Sequence, residues 1–333
     1  MSRILEYLEI KPSEQSVDYV ENKKQFHLFT LLTEQRHPKT WTLSSAIAEN
    51  TEKGLRMLLS VDEDITARIE VLCKDPVLLE NAVSAMHRAI AKGKKIYFYG
   101  CGATGRLAKQ MESTFWRPFW RKIRQSEYWG KLKGHLPEDI EERLIGEMTG
   151  ADRALISSLE GFEDLQLIGK LQLNDRGIEK GDAVFCVTEG GETSSVIGTI
   201  LTAWRQYGDP AVQHNAESAA NLYFAYNNPD ERLLPFDRSR SVIENNGITK
   251  LNFTTGPQGI TGSTRLQATT SETFILGAVM EEALYRILGD FLDEKELAAL
   301  GFEKGLDLAG RLLSFDDVRK RVDDKLSDIA RFT

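Results

Sequence analysis

The stretch KIYFYGCGATGR, residues 95–106, limits what this chain can become more than any other. The β-formers of residues 96–99 run straight into a glycine-rich turn. The turn then opens the helix-forming run Arg106-Leu107-Ala108-Lys109-Gln110-Met111. A strand apolar on both faces is buried on both faces, as in a parallel sheet covered by helices. The first N–H groups of the following helix have no intrahelical acceptors. Together with the helix dipole they favour an anion, usually a phosphate, over the turn.

The same unit recurs along the chain. Residues 183–188 form a second apolar strand, followed by the turn EGGETSS at 189–195 and a helix over 196–204. Further strands are predicted at 143–149, 222–226 and 251–255, and the helix after the first turn is predicted over 106–120. Upstream, Ser44 or Ser45 is read as a helix cap, and a helix over 77–92 ends at Gly93. Downstream, a long helix spans 271–292 with Leu276, Met280, Leu284 and Ile287 as its buried stripe. Val318, Val322, Leu326 and Ile329 mark a last amphipathic helix, compatible with a chain that is a piece of a longer one. Alternating strands and helices give a parallel sheet with helices on both faces, and ligands of such sheets sit at the carboxyl ends of the strands. Both glycine-rich turns fall there, which points to one shared site. The expected division is an N-terminal extension with helices (1–92), the α/β domain (93–270) and C-terminal helices (271–333).

Bulk properties exclude several classes. The formal net charge of −8 argues against general nucleic-acid binding. The basic cluster Arg117, Arg121, Lys122 and Arg124 is read as a solvated helix face. Cys73, Cys101 and Cys186 provide neither a disulfide framework nor metal-ligand spacing. No apolar signal region and no run of 18 apolar residues is present, so a soluble, cytoplasmic protein without membrane partners is expected. His37 is read as an exposed loop histidine.

The turn at 100–105 formally fits G-x-G-x-x-G. The acidic residue that a dinucleotide fold requires about 20 residues later is replaced by the basic Trp120-Arg121-Lys122-Ile123-Arg124. The P-loop is excluded too, because no Gly-Lys-Ser or Gly-Lys-Thr closes the turn. In the second turn, Thr193, Ser194 and Ser195 offer three hydroxyls at a helix start, more than capping needs. Glu189 and Glu192 oppose an anion there unless turned aside, and Glu189 could instead accept hydrogen bonds from sugar hydroxyls.

Four segments together resemble one family. TEQRHP (33–38), GCGATGR (100–106), EGFED (160–164) and GPQGITGSTRL (256–266) are similar, in order, to motifs of the sugar isomerase (SIS) domain family that joins N-acetylmuramic acid 6-phosphate etherase and the glucokinase regulatory protein. The resemblance implies a three-layer αβα sandwich with a flavodoxin-like, five-stranded parallel sheet. It implies a sugar 6-phosphate ligand and no metal or cofactor. It also implies SIS–SIS pairing, as a homodimer or with a second SIS domain, and a possible sugar kinase partner. Carried over by motif, Gly102, Ala103, Thr104 and Gly105 lie at the phosphate, with Gly190, Gly191, Glu192, Thr193, Ser194 and Ser195 opposite. Ser263, Thr264 and Arg265 border the same pocket, and Glu160 matches a glutamate that touches the sugar. The etherase eliminates lactate with two glutamates. Glu160 matches one, whereas the other falls without gaps on Thr114, and only a two-residue gap brings Glu112 there. The family lysine after TGSTRL is Gln267, and the serine before the second-turn glycine is Gly190. The first expectation is therefore a regulator-like sensor of a 6-phosphosugar. The alternative is an etherase with Glu160 and Glu112 as its acids.

Overall fold

The computed structural model describes residues 7–208 and 215–332, without the side chain of Glu160. The five apolar runs form β1 (Ile96–Gly100), β2 (Leu144–Met148), β3 (Ala183–Val187), β4 (Leu222–Tyr226) and β5 (Thr249–Asn252). They pair in the order β2-β1-β3-β4-β5, every pair parallel. Phe98 stands in register with Gly146 on one side and Phe185 on the other. From β1 the chain goes first to one neighbour and then to the other. The loops leaving β1 and β3 therefore diverge and open a crevice, as in flavodoxin-like sheets.

Period-two alternation splits each strand between two buried layers. Phe98, Phe185 and Tyr223 stack on one face at centroid separations of 4.9 and 4.8 Å, against α1 (Val77–Ala91), α2 (Gly102–Gln110) and α5 (Gln267–Gly289). Tyr97, Tyr99, Cys186 and Phe224 face the other layer, which includes α4 (Ser194–Arg205), with α3 (Gln166–Asp175) packed against it. The expected stripe Leu276, Met280, Leu284 and Ile287 is buried. The N-terminal helix Glu63–Lys74 and the C-terminal helix Leu308–Leu313 share the first of these cores. Among the described residues, no helix is long and apolar enough to cross a membrane.

Several boundaries differ from expectation for identifiable reasons. The helix after β1 starts at Gly102, passes through a π-helical segment at Met111–Trp116 and resumes as Arg117–Arg124. Pro118 lacks an N–H, and its ring would clash with the carbonyl four residues back, so the turn before it widens. Strand β5 lies two residues early because the Asn252 carboxamide oxygen accepts from the N–H and hydroxyl of Thr254 and turns the chain away. Ser44 and Ser45 lie inside helix Leu43–Glu49 rather than capping it. The side-chain cap belongs to Asn50, which accepts from Lys53 N–H at the next helix. The basic cluster is ion-paired rather than merely solvated: Arg117 with Glu112 and Glu142, and both Arg121 and Arg124 with Glu141.

Helix α2 rests on β2 by backbone contact. A Cβ on Gly146 would lie 2.0 Å from the Ala108 carbonyl oxygen, and one on Gly105 2.5 Å from Met148 Cγ. Gly146→Ala is expected to destabilise the protein by about 1–3 kcal/mol through overpacking. Urea unfolding checks this, and an unchanged midpoint would show that the contact is slack.

Candidate functional site

A cavity of about 420 Å³ opens at the carboxyl ends of β1 and β3. Its wall joins loop one (Cys101, Gly102, Ala103), the second turn (Glu189, Thr193), the third loop (Gly262, Ser263, Thr264, Arg265) and Glu163. It adjoins a second cavity of about 280 Å³ that shares Cys101, Gly102, Glu163 and Arg265 and adds Arg106 and Thr149. Arg265 is the one basic residue, among those described, on the wall of the larger cavity.

Loop one presents backbone rather than side chains. Gly102 takes φ +56°, a left-handed conformation that suits glycine, and it begins α2. Thr104 is fully buried. Its hydroxyl accepts from Cys101 N–H at 3.0 Å and donates to Cys101 O at 2.9 Å, so it folds the loop instead of facing a ligand. Gly105 is buried against Met148. Of the four expected loop-one residues, Gly102 and Ala103 line the cavity.

The second turn divides likewise. Thr193 reaches the cavity, with its hydroxyl 3.0 Å from that of Thr188. Ser195 is fully buried. Its hydroxyl meets Thr149 at 2.9 Å and its N–H donates to Glu163 O. Ser194 is buried, and Gly190 and Gly191 shape the turn behind the cavity through Asn228 and Ser239. Glu192 Oε2 is buried without a hydrogen-bond partner among the described residues. Burial pushes the Glu192 carboxyl up to about 7; Arg238 pulls it down, while Glu34 and Glu189 push it further up.

The third loop is held from a distance. Arg36 bridges to Gln258, and Gln267 accepts from Gly259 N–H at 2.7 Å while donating to Asp64. His37, expected on the surface, is instead buried. Its Nδ1 accepts from Lys39 N–H, so Nε2 carries the proton and donates to Asp64 at 2.8 Å. The TEQRHP segment is therefore a brace: Thr33 and Leu32 bond to Asn228 just after β4.

The structure does not bring Glu112 to the cavity. Its carboxylate accepts from Gly146 N–H at 3.1 Å and pairs with Arg117 at 2.7 Å, covering the open edge of β2. Thr114 is exposed on the π-helical segment. Glu160 opens a single 3-10 turn, Glu160–Phe162, directly before Glu163, and its side chain lies outside the described residues. Glu163 and Cys101, not proposed as site residues from sequence, both line the cleft. The EGFED motif carried the signal for Glu163. The Cys101 thiol is pushed up to about 11, first by burial and then by Glu163 and Glu189, which leaves it a protonated wall group at neutral pH. No group of three or more His, Cys, Asp or Glu among the described residues is arranged to hold a metal ion.

The arrangement offers helix-terminal N–H groups and an arginine for an anion, hydroxyls for polar groups, and carboxyls for proton transfer. Its place at the switch point of a parallel β2-β1-β3-β4-β5 sheet is where ligands of flavodoxin-like α/β folds sit. No family model matches the chain. The chain is a relative of N-acetylmuramic acid 6-phosphate etherases. It is 22% identical to that of Bacillus subtilis over 261 residues, 78% of this chain and 71% of the relative. It is 25% identical to that of Salmonella agona over 264 residues (78% and 72%), and 23% to that of Lactococcus lactis subsp. cremoris strain SK11 over 256 (76% and 69%).

The state of Glu192 is testable through stability. Its folded pKa lies above the ordinary 4.5, so the stabilising contribution is full below pH 4.5 and is lost as pH rises through about 7. The full loss is roughly 3 kcal/mol at about 1.4 kcal/mol per pKa unit. In urea unfolding between pH 5 and 8, Glu192→Gln is expected to flatten the decline by up to that amount. An identical decline in the variant would assign the titration to other carboxyls.

Proposed function

We propose that the cleft binds a 6-phosphosugar and that the protein is a lyase of the etherase type, eliminating an ether substituent β to the sugar carbonyl. The observation that carries this is the convergence of loop one, the TGSTR loop and the EGFED turn on a single cavity. The etherase relatives over three quarters of the chain support the enzymatic alternative over the regulator expected first.

In this reading the phosphate lies over Gly102 and Ala103 at the start of α2, with Arg265 as its counter-charge. Ser263, Thr264 and Thr193 hydrogen-bond the sugar. A carboxylate of the Glu160–Glu163 turn acts as base. It takes the proton next to the carbonyl, and that electron pair becomes a carbon–carbon double bond. The bond to the ether oxygen breaks, and the departing oxygen accepts a proton. One observation favours a second reading, a sensor without turnover: neither Glu112 nor position 114 reaches the cleft.

N-acetylmuramic acid 6-phosphate is expected to raise the Tm, with stabilisation of about 2.7 kcal/mol at 100 times Kd. It is also expected to release lactate, detected by a coupled assay, and Arg265→Ala should weaken binding at least tenfold. Stabilisation without lactate would establish the sensor, whereas no shift with any 6-phosphosugar at millimolar concentration would remove both readings.

SIS–SIS pairing is part of the same proposal. Leu155, Ile156, Leu165, Leu167 and Leu171 are each exposed in the segments flanking the EGFED turn, and Leu167 and Leu171, four residues apart in α3, share a helix face that suits a second copy. Sedimentation should show a dimer that Leu167→Glu with Leu171→Glu converts to monomer; a wild-type monomer at tens of micromolar would contradict the pairing.

A further inference from the structure

We propose that Glu189 is the acid of this elimination, the group that gives a proton to the departing ether oxygen. The inference rests on the lyase reading above and goes beyond it by naming the second carboxyl.

The geometry carries it. Glu189 follows Thr188 at the carboxyl end of β3 and lines the same cavity as Glu163, Arg265 and Ser263. Its main chain is fixed by Asn227 N–H, which donates to Glu189 O at 3.0 Å. Its Oε1 accepts from the Thr269 hydroxyl at 3.0 Å, in the first turn of α5. The carboxyl therefore reaches the cleft from a strand end and a helix start, two rigid elements. The helix after loop one provides no competing acid, because Glu112 is committed to β2 and Thr114 bears no carboxyl.

Behind Glu189 stands Glu272, fully buried in α5. Its Oε1 accepts from Asn227 Nδ2 at 2.8 Å, and its Oε2 is buried with no hydrogen-bond partner among the described residues. Asn227 thus ties together the backbone of one glutamate and the carboxyl of the other. Neighbouring buried carboxyls resist being ionised together. Burial pushes both groups up, and the Glu189 charge pushes Glu272 further; the Thr269 and Thr264 hydroxyls and Arg265 oppose this at Glu189. Glu192 and Cys101, which also feel Glu189, contribute no positive charge. A carboxyl whose neutral form is favoured by burial is suited to protonate an alkoxide leaving group.

The step balances. The base on the Glu160–Glu163 turn removes the proton at C2, and the C–H pair forms the C2=C3 double bond. The C3–O pair departs on oxygen, which takes the Glu189 proton. Glu189 is left as carboxylate and regains a proton from solvent through the open cavity.

The test separates the two proton transfers. With N-acetylmuramic acid 6-phosphate in D₂O, lactate release and exchange of the C2 proton are followed together by NMR. Glu189→Gln should lower lactate release by about 100-fold or more while C2 exchange stays within a few-fold of wild type. Thr269→Val keeps the carboxyl but removes its anchor, and it should produce the same split in milder form if the glutamine variant does not fold. Equal loss of release and exchange in a folded variant, or release unchanged, would overturn the assignment. Wild-type protein that neither releases lactate nor exchanges C2 would instead sink the lyase reading and this inference with it.

Discussion

The close seating of α2 on β1 and β2 is the contact on which the rest of the site depends. Gly146 lets the Ala108 carbonyl lie against β2, and a Cβ on Gly100 would stand 2.4 Å from the carbonyl carbon of Thr104. With side chains there, the helix would lift from the sheet and its N-terminus would leave the switch point. The contact also fixes the second turn. Thr149 N–H donates to Gly100 O at 2.9 Å, and the Thr149 hydroxyl meets Ser195 at the start of α4. One residue after β2 thereby joins the origins of the two helices that begin at the cleft. Backbone packing at this density leaves little room for drift, because interiors transmit strain rather than absorb it.

The third loop depends on a different principle, long-range tethering. A loop as long as residues 256–266 carries considerable conformational entropy. Locally, Gln258 accepts from Ala268 N–H and Gln267 from Gly259 N–H; from about 200 residues away, Asp64 accepts from Gln267, and Gln35 and His37 exchange backbone hydrogen bonds with Gln258. Gln267 uses both ends of its carboxamide: the oxygen accepts from Gly259 N–H and the nitrogen donates to Asp64. The N-terminal segment thus positions a wall of the cleft that lies far from it in sequence.

These two principles explain what the sequence could reveal. Buried parallel strands are near-continuous apolar runs, so β1, β3 and β4 and their order in the chain were legible directly. Strand β5 shifted because one asparagine side chain competed with the ladder, an effect that apolar pattern does not encode. The π-helical segment had a visible cause in Pro118, but its consequence for Glu112 depends on the edge of β2, which only the fold supplies. At the site, Gly102 was legible because its left-handed backbone suits glycine, and the TGSTR segment, which lines the cavity, because its motif is long and specific. Thr104 and Ser195 were not, because a hydroxyl beside a helix start can face a ligand or its own backbone, and here both turn inward. His37 was hidden for a related reason: its partner Asp64 is distant in sequence, so nothing nearby announced a buried histidine.

The proposed phosphate site is walled by the carboxyls of Glu163 and Glu189, which would repel a phosphate if both were ionised. Coulomb repulsion between a dianion and ionised glutamates at a few ångströms would outweigh the attraction of one arginine and a helix terminus. Burial weakens that repulsion by favouring the neutral carboxyl forms. Glu192 is pushed up to about 7, and Glu189 and Glu272 are pushed in the same direction, each chiefly by desolvation. A bound dianion favours their neutral forms further, since the two effects are linked through the same protons. The acids that seemed to argue against an anion in the EGGETSS turn thus become compatible with one. In the proposed elimination, a proton held on such a carboxyl is what the departing ether oxygen requires.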